Sequence, residues 1–355
     1  MRRTDCQLAP GVGPECSLAA VVLNWNGWRY TLNCLETLLR SDYAELRIVV
    51  CDNGSTDDSW HVFQLWAQGK VSAPPPSHPR LASLLTTPRR RKAKCVFLED
   101  HCVGSESLCS SNVIFVRRNQ NQGYGAGNNA GIRYALRVGA DYVWILNNDT
   151  LVEPSAPRLL VEYIRSRSKV GMCGTVVMNY DDPATIQVLG GWHWNKWIAK
   201  PTPLLSPDRV LADLSYIQGA SLCVSRNFLD EVGFLAEEYF LFCEEMDWVL
   251  RAAKRFQLDY CPDAVVFHKS GASFGKHDSN LKIGSAEFYS MRARLMLTRK
   301  FWPRIFPIVW ISMLGRVLHR LAKGRIHEAG MIVHAMAQEH RRGLSPTADP
   351  GMLFR

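Results

Sequence analysis

Short apolar runs alternate with longer amphipathic stretches along the first part of the chain. Leu18–Leu23 and Leu46–Cys51 have the length and apolarity of buried strands, and Val113–Val116 and Asp141–Leu146 repeat the pattern. Between them, Thr31–Leu39 and a stretch from about Asn128 to Val138 carry apolar residues at helical spacing. Strands and helices in this order predict an α/β fold with a mostly parallel central sheet flanked by helices. Asp52-Asn53-Gly54-Ser55-Thr56-Asp57-Asp58 follows the second strand, and it predicts a helix capped by Ser55 or Thr56 with Asp57 and Asp58 in its first turn.

One segment breaks the rhythm. Residues 71–111 hold Pro74-Pro75-Pro76, Pro79, Pro88, a basic run Arg89–Lys94 and a Ser/Cys-rich stretch. Turn-forming and charged residues without apolar periodicity predict a mostly mobile surface insertion with a solvated basic run. The apolar stretch Cys16–Leu23 behind Arg2 and Arg3 is too brief for a signal peptide and reads as a core strand. The expected organisation is a tail over 1–17, a first half over 18–150, a second half over 151–285 and a basic helical region over 286–355.

Composition refines this picture. The chain of 355 residues is 47% apolar and 21% charged, as folded globular chains are. Its eleven cysteines show no C-x-x-C pair, which fits reduced thiols in a cytosolic setting rather than a disulfide framework. Only Cys102 and Cys109 cluster. The formal charge of +9 favours acidic partners. Much of that excess lies between Arg292 and Arg325, where nine cations and no acid surround the apolar stretch Ile305–Gly315. That stretch is too short to span a bilayer, and no apolar run of about 18 residues exists. A basic segment with an apolar, aromatic centre reads as a helical membrane-interface segment on an anionic surface. Charge confined to one end beside an apolar patch argues against nucleic acid.

Five constellations carry candidate chemistry. Asp52 ends a strand where open α/β sheets bind ligands, or it is a turn acid bonding its own backbone. Asn119–Gly131 contains Gly125-x-Gly127-x-x-Ala130, which matches a dinucleotide fingerprint. Its glycines follow the strand too late for that, and a Gly/Asn-rich loop suits close approach to some other ligand. Asn147-Asn148-Asp149 ends another strand, offering a hard carboxylate ligand for a divalent cation or a helix cap. Glu244, Glu245 and Asp247 stand among aromatics, where mutual repulsion and an apolar setting raise pKa towards that of a general base. The alternative is a solvated acidic helix start. His268 ends a hydrophobic strand as a metal ligand or a structural residue.

The order of these signals resembles family two inverting glycosyltransferases. The stretches NQNQGYGAGNNAGI, LNNDT and VVFHKSGAS look most like the bacterial rhamnosyltransferase-like branch, over about residues 18–300 apart from the insertion. The resemblance implies a GT-A (nucleotide-diphospho-sugar transferase) fold with a donor-binding first half and an acceptor-binding, catalytic second half. By position it implies donor contacts from Asn24, Trp25, Asn26, Asp52, Gly123, Asn129, Asn147 and Asn148. Asp149 and His268 would hold Mg2+ or Mn2+, with Asn147 at the first place of the family's Asp-x-Asp. Glu245 would be the catalytic base with Asp247 in reserve, and Trp192, Gly219, Ala220 and Glu244 would meet the acceptor. The tryptophans of Gly190–Trp197 would stack on sugars or serve as core and rim.

The expected activity is transfer of a sugar, rhamnose by resemblance, from a dTDP- or UDP-sugar to a hydroxyl. The acceptor would be a glycan or lipid-linked molecule in cell-surface polysaccharide synthesis. The expected location is cytoplasmic, peripheral on the inner face of the plasma membrane. Asn147 and the Glu244-Glu245 pair leave a catalytically silent nucleotide-sugar-binding or glycan-binding protein as the alternative. An NAD-dependent oxidoreductase would rest on the glycine motif alone.

Overall fold

The computed structural model describes residues 16–100, 110–270 and 283–342. The first half comprises β1 (Leu18–Asn24), α1 (Trp28–Leu39), β2 (Leu46–Asp52), α2 (Ser59–Ala67), α3 (Pro79–Thr86), β3 (Cys95–Glu99), β4 (Val113–Arg117), α4 (Tyr124–Arg137) and β5 (Tyr142–Asn147). Then follow β6 (Thr150–Val152), α5 (Ala156–Arg165), β7 (Val170–Asn179), β8 (Ile186–Leu189), β9 (Gly191–Asn195), β10 (Lys200–Pro203), α6 (Pro207–Asp213), β11 (Tyr216–Ile217) and β12 (Ser221–Ser225). The chain continues through α7 (Arg226–Val232), α8 (Glu244–Ala252), β13 (Gln257–His268), α9 (Ile283–Phe301), α10 (Phe306–Ala322) and α11 (Ile326–Arg342).

The main sheet has the order β3-β4-β2-β1-β5-β12-β7-β13-β6, with β8 on β7. From β3 to β5 every pairing is parallel, and β12 enters antiparallel between β5 and β7. The parallel strands are buried on both faces. Along β1, Leu18, Ala20 and Val22 join one core, while Ala19 and Val21 join the other. A small second sheet, β10-β9-β11, stands beside the main one. α9, α10 and α11 form a third core with Trp194, Tyr239 and Met246, using Phe288, Met291, Leu295, Val309, Met313 and Ile332.

Several sequence expectations are corrected. The helix after β2 begins at Ser59 with Asp58 at its N-cap, not at Ser55 or Thr56. Ser55 instead donates to the Asp52 carboxylate and accepts from Asn24. The 71–111 segment is ordered over much of its described part. α3 occupies 79–86, and β3 pairs in parallel with β4 as an edge strand. The basic run is not simply solvated. Arg89 forms an ion pair with buried Glu36, and Arg91 donates to the carbonyls of Leu38 and Leu46. The Cys102–Cys109 cluster lies outside the described residues.

Gly127 has a packing role. A Cβ there would lie 2.4 Å from Leu23 Cδ1, so the glycine lets α4 close onto β1. Gly125 instead fits against the Ala236 carbonyl, 2.7 Å from where its Cβ would lie, so both glycines of the dinucleotide-like motif serve close packing of α4. The helical segment Pro303–Ala322, a 3-10 turn leading into α10, is 20 residues long with mean hydropathy 1.3 and 11% buried. By length and composition it could cross a membrane, contrary to the sequence expectation. Arg304, Arg316 and Arg320 interrupt the run in the sequence but fall on a continuous helix.

Candidate active site

A cleft of about 630 Å³ opens at the carboxyl ends of β1 and β5, between the main sheet, the small sheet and the loop before α8. Parallel strands end here, and the strand order reverses between β1 and β5, with β2 and β4 to one side of β1 and β5 to the other, which is where such sheets place ligands. Trp25, Gly123, Asn147, Asn148, Asp149, Trp192, Gly219, Ala220, Glu244, Glu245 and His268 all line it. The chain thus brings most of the sequence-derived residues together.

One wall is built by β5 and β13. His268, the last residue of β13, places Nε2 3.3 Å from Asp149 Oδ1 and 3.2 Å from the Asn147 amide nitrogen. Its Nδ1 lies 2.7 Å from Gln187 Oε1, while Gln187 Nε2 donates to the His268 carbonyl at 3.3 Å. The Gln187 oxygen can only accept, so Nδ1 carries a proton and Nε2 is the ring nitrogen turned towards Asp149 and Asn147. Asp149 Oδ1 is buried with no hydrogen-bond donor among the described residues. A ring nitrogen and a buried carboxylate oxygen converging at 3.3 Å, the oxygen without a hydrogen-bond donor, are a donor set that fits a divalent cation. Among the described residues no third His, Cys, Asp or Glu joins them, so further ligands to a cation would come from a bound diphosphate or water.

The opposite wall is the start of α8. Phe240, Phe242 and Cys243 all adopt positive φ, 66°, 71° and 70°, immediately before Glu244. Such strain survives only where the surroundings enforce it. Here the Tyr124 N–H donates to the Phe240 carbonyl at 2.7 Å, and the Phe240 ring stacks on Tyr289 with centroids 4.7 Å apart. Gly123, at φ 95°, fits against that same carbonyl.

Burial pushes the Glu245 carboxyl up to about 7, against hydrogen bonds from its own N–H and that of Gly219. Glu244 is 1% exposed, and neither of its oxygens finds a partner among the described residues. Burial, with Glu245 beside it, holds its carboxyl well above the usual range. A pair of this kind supplies one proton acceptor near neutral pH beside a carboxyl kept protonated.

Other sequence-derived residues do not line the cleft. Asp247 is fully buried, accepting from Tyr239 Oη at 2.9 Å, Arg251 Nε at 2.6 Å and Lys300 Nζ at 2.7 Å. It is an ion-pair centre joining α8 to α9. Asn129 ties α4 to Leu235 and Glu237. Asn24 and Asp52 are buried behind the cleft, with Asn24 Nδ2 donating to Asp52 at 2.9 Å. Burial raises the Asp52 carboxyl, opposed by the Ser55 and Asn24 hydrogen bonds. Asn26, at φ 49°, accepts from the backbone N–H of Thr56 and Asp57 and so braces the β2 turn.

Sequence reasoning missed Tyr124, Gln187, Gln218, Ser290 and Arg294. Tyr124 donates to the Gly219 carbonyl at 2.9 Å and lay within the quoted loop motif. Gln187 and Gln218 carry no sequence signal, because only the meeting of β8, β11 and β13 gives them a role.

Fold and cleft together define a protein of the nucleotide-diphospho-sugar transferase type, the GT-A fold. The model of the family described as glycosyl transferase family 2 matches residues 19–90 and 105–220, more than half of the chain. The chain belongs to that family. It is 21% identical over 178 residues to the low-salt glycan biosynthesis hexosyltransferase Agl10 of Haloferax volcanii, covering 49% of this chain and 58% of that one. Against the chondroitin synthase of Escherichia coli it is 22% identical over 170 residues, 48% of this chain and 18% of the other. The chain thus spans 58% or less of these curated relatives. Among solved structures it resembles GalNAc-T7 with UDP, GalNAc and Mn2+, at TM-score 0.54 and 11% identity, covering 93% of this chain and 57% of that one.

Proposed function

We propose that the protein is an inverting glycosyltransferase acting at a membrane surface. The observation that carries this reading is the juxtaposition, across one cleft, of the Glu245 carboxyl, pushed up to about 7 by burial, and the converging Asp149–His268 pair. Glu245 removes the proton from an acceptor hydroxyl as the oxygen attacks the anomeric carbon. The bond from that carbon to the donor diphosphate breaks with its electron pair leaving on the diphosphate, and the configuration inverts. Glu244, kept protonated, donates a hydrogen bond to the acceptor. Trp192 offers an aromatic face for a sugar. A divalent cation held by Asp149 and His268 would offset the charge gained by the departing diphosphate. GalNAc-T7 was solved with Mn2+, which agrees with that donor set.

The donor is a UDP- or dTDP-sugar, with rhamnose favoured by the resemblance of the loop motifs. Trp25 and the neighbouring end of β1, braced from behind by Asn24 and Asp52, take the nucleoside, and the 151–285 half takes the acceptor, a glycan or lipid-linked molecule of cell-surface polysaccharide synthesis. The exposed apolar helix α10 and its cations support peripheral attachment to an anionic, cytoplasmic membrane face.

Thermal unfolding with Mn2+ and UDP, dTDP, GDP or NADH tests the donor site. A ligand at 100 times its dissociation constant adds about 2.7 kcal/mol. A metal-dependent shift with UDP or dTDP is expected, and no shift with any diphosphate overturns the reading. Donor turnover that survives Glu245→Gln removes the proposed base. A protein that ignores anionic vesicles at low salt removes the membrane part.

A further inference from the structure

A second cavity, of about 510 Å³, adjoins the cleft and is lined by β10, α9 and α10. Ser290 and Arg294 line both, so the two spaces share a wall. Four cationic side chains, Lys200, Arg294, Arg316 and Arg320, face the second cavity against one carboxylate, Glu287. Arg320 is neutralised by Glu287 at 3.1 Å and Glu328 at 2.8 Å. Arg316 donates only to the Ile198 carbonyl, at 3.0 Å, and neither Arg294 nor Lys200 has a hydrogen-bond or ion-pair partner among the described residues. Burial depresses both Arg294 and Arg316, and Arg294 depresses Arg316 further. Glu287 offsets Arg294 and Arg316 only in part, so four cations against one lining carboxylate leave an excess of positive charge that an anion would relieve. Guanidinium groups match phosphate oxygens in geometry and charge.

The same helix that contributes Arg316 exposes Ile308, Ile311, Leu314, Leu318 and Leu321, each 42–66% exposed. Their three- and four-residue spacing forms one apolar stripe, with Val309 and Met313 packed inward. Apolar stripe, cationic cavity and catalytic carboxylate therefore follow one another across the molecule. That is the order of parts in an amphiphile with an apolar tail, a phosphate and a sugar.

We propose that the second cavity binds the phosphate or diphosphate ester of an amphiphilic acceptor whose tail lies along α10 and whose sugar hydroxyl reaches Glu245. This inference rests on the transferase reading and names the class of its acceptor. It goes beyond a general attraction to anionic lipid, because the cations enclose a space rather than spread over a surface.

The test measures binding of farnesyl diphosphate, below its micellar concentration, to the full chain by calorimetry with metal removed by chelation. Farnesol and inorganic pyrophosphate serve as controls. Farnesyl diphosphate should bind at least tenfold tighter than either control. Lys200→Ala combined with Arg316→Ala should weaken it at least tenfold, while the Mn2+-dependent unfolding shift with a nucleoside diphosphate stays, showing that the fold and donor site are intact. Equal affinity for farnesol, or no effect of the paired substitutions, overturns the inference. If the substitutions abolish binding to phosphatidylglycerol vesicles but leave farnesyl diphosphate affinity unchanged, the cations serve bilayer headgroups, and the inference also falls. Failure of the wild-type chain to bind any nucleoside diphosphate sinks the transferase reading instead, and the chelated arm is read independently of it.

Discussion

Gly219 and Glu245 meet so closely that a Cβ on the glycine would lie 2.0 Å from the Glu245 Oε1 and 2.6 Å from Tyr124 Oη. The Gly219 N–H also supports the Glu245 carboxylate. Gly219→Ala should therefore displace the carboxylate while leaving the backbone conformation accessible. A drop in kcat of at least about tenfold, with the unfolding midpoint within a few degrees of wild type, is expected. An unchanged kcat would show that Glu245 has room to spare and is not held by this contact.

Glu245→Gln removes the proton acceptor but keeps the volume and polarity of the side chain. General-base groups contribute roughly 100- to 10,000-fold. Transfer should fall within that range, while binding of the nucleoside diphosphate with Mn2+, read by thermal unfolding, should not change.

The raised pKa values of the Glu244–Glu245 pair predict pH dependence of both rate and stability. The rate should climb as pH rises through about 7, where Glu245 loses its proton. Stability should move the other way. With folded pKa values above the ordinary 4.5, the folded state holds more protons than the unfolded chain between about pH 4.5 and 7. Stability is therefore greatest at the acid end of that window and falls as pH rises through it. Glu244→Gln should raise the unfolding free energy at pH 8, by on the order of 1–3 kcal/mol, and the gain should vanish near pH 4.5. A Glu244→Gln protein no more stable than wild type at pH 8 would mean that the carboxyl ionises without penalty.

Asp149→Asn and His268→Ala each remove one of the two converging acceptors. Either should abolish the Mn2+-dependent part of the unfolding shift with UDP or dTDP. A shift that persists in both variants would place the cation elsewhere.

Asp247→Ala should act on stability rather than on chemistry. It strands Arg251, Lys300 and Tyr239, and removal of one partner from a buried ion cluster costs about 3–5 kcal/mol. Denaturant unfolding checks this. A well-folded variant that has lost only kcat would return Asp247 to the candidates for the base.

The sequence by itself determined the alternating parallel core. The runs from Leu18, Leu46, Val113 and Tyr142 are apolar on both faces, and only a covered parallel sheet accommodates them. It also marked Asp149, Glu245 and His268 as candidates, because they stand at or beside the ends of regular elements, where local patterning is legible. Tertiary structure decided what local patterning cannot encode. Glu245 and Asp247 are two residues apart on one helix, yet one faces the cleft and the other is buried among cations, because α9 brings Lys300 to only one side of α8. The Gln187 that fixes the His268 proton comes from β8, 81 residues away in the chain. The Pro- and Arg-rich segment became an edge strand and an anchor because Glu36 lies buried beneath Arg89. The interrupted apolar run around Gly315 became one long exposed helix because Arg316 and Arg320 lie off the apolar stripe, facing the second cavity. Each of these outcomes depends on contacts between distant segments, and helical or strand periodicity reports only on near neighbours.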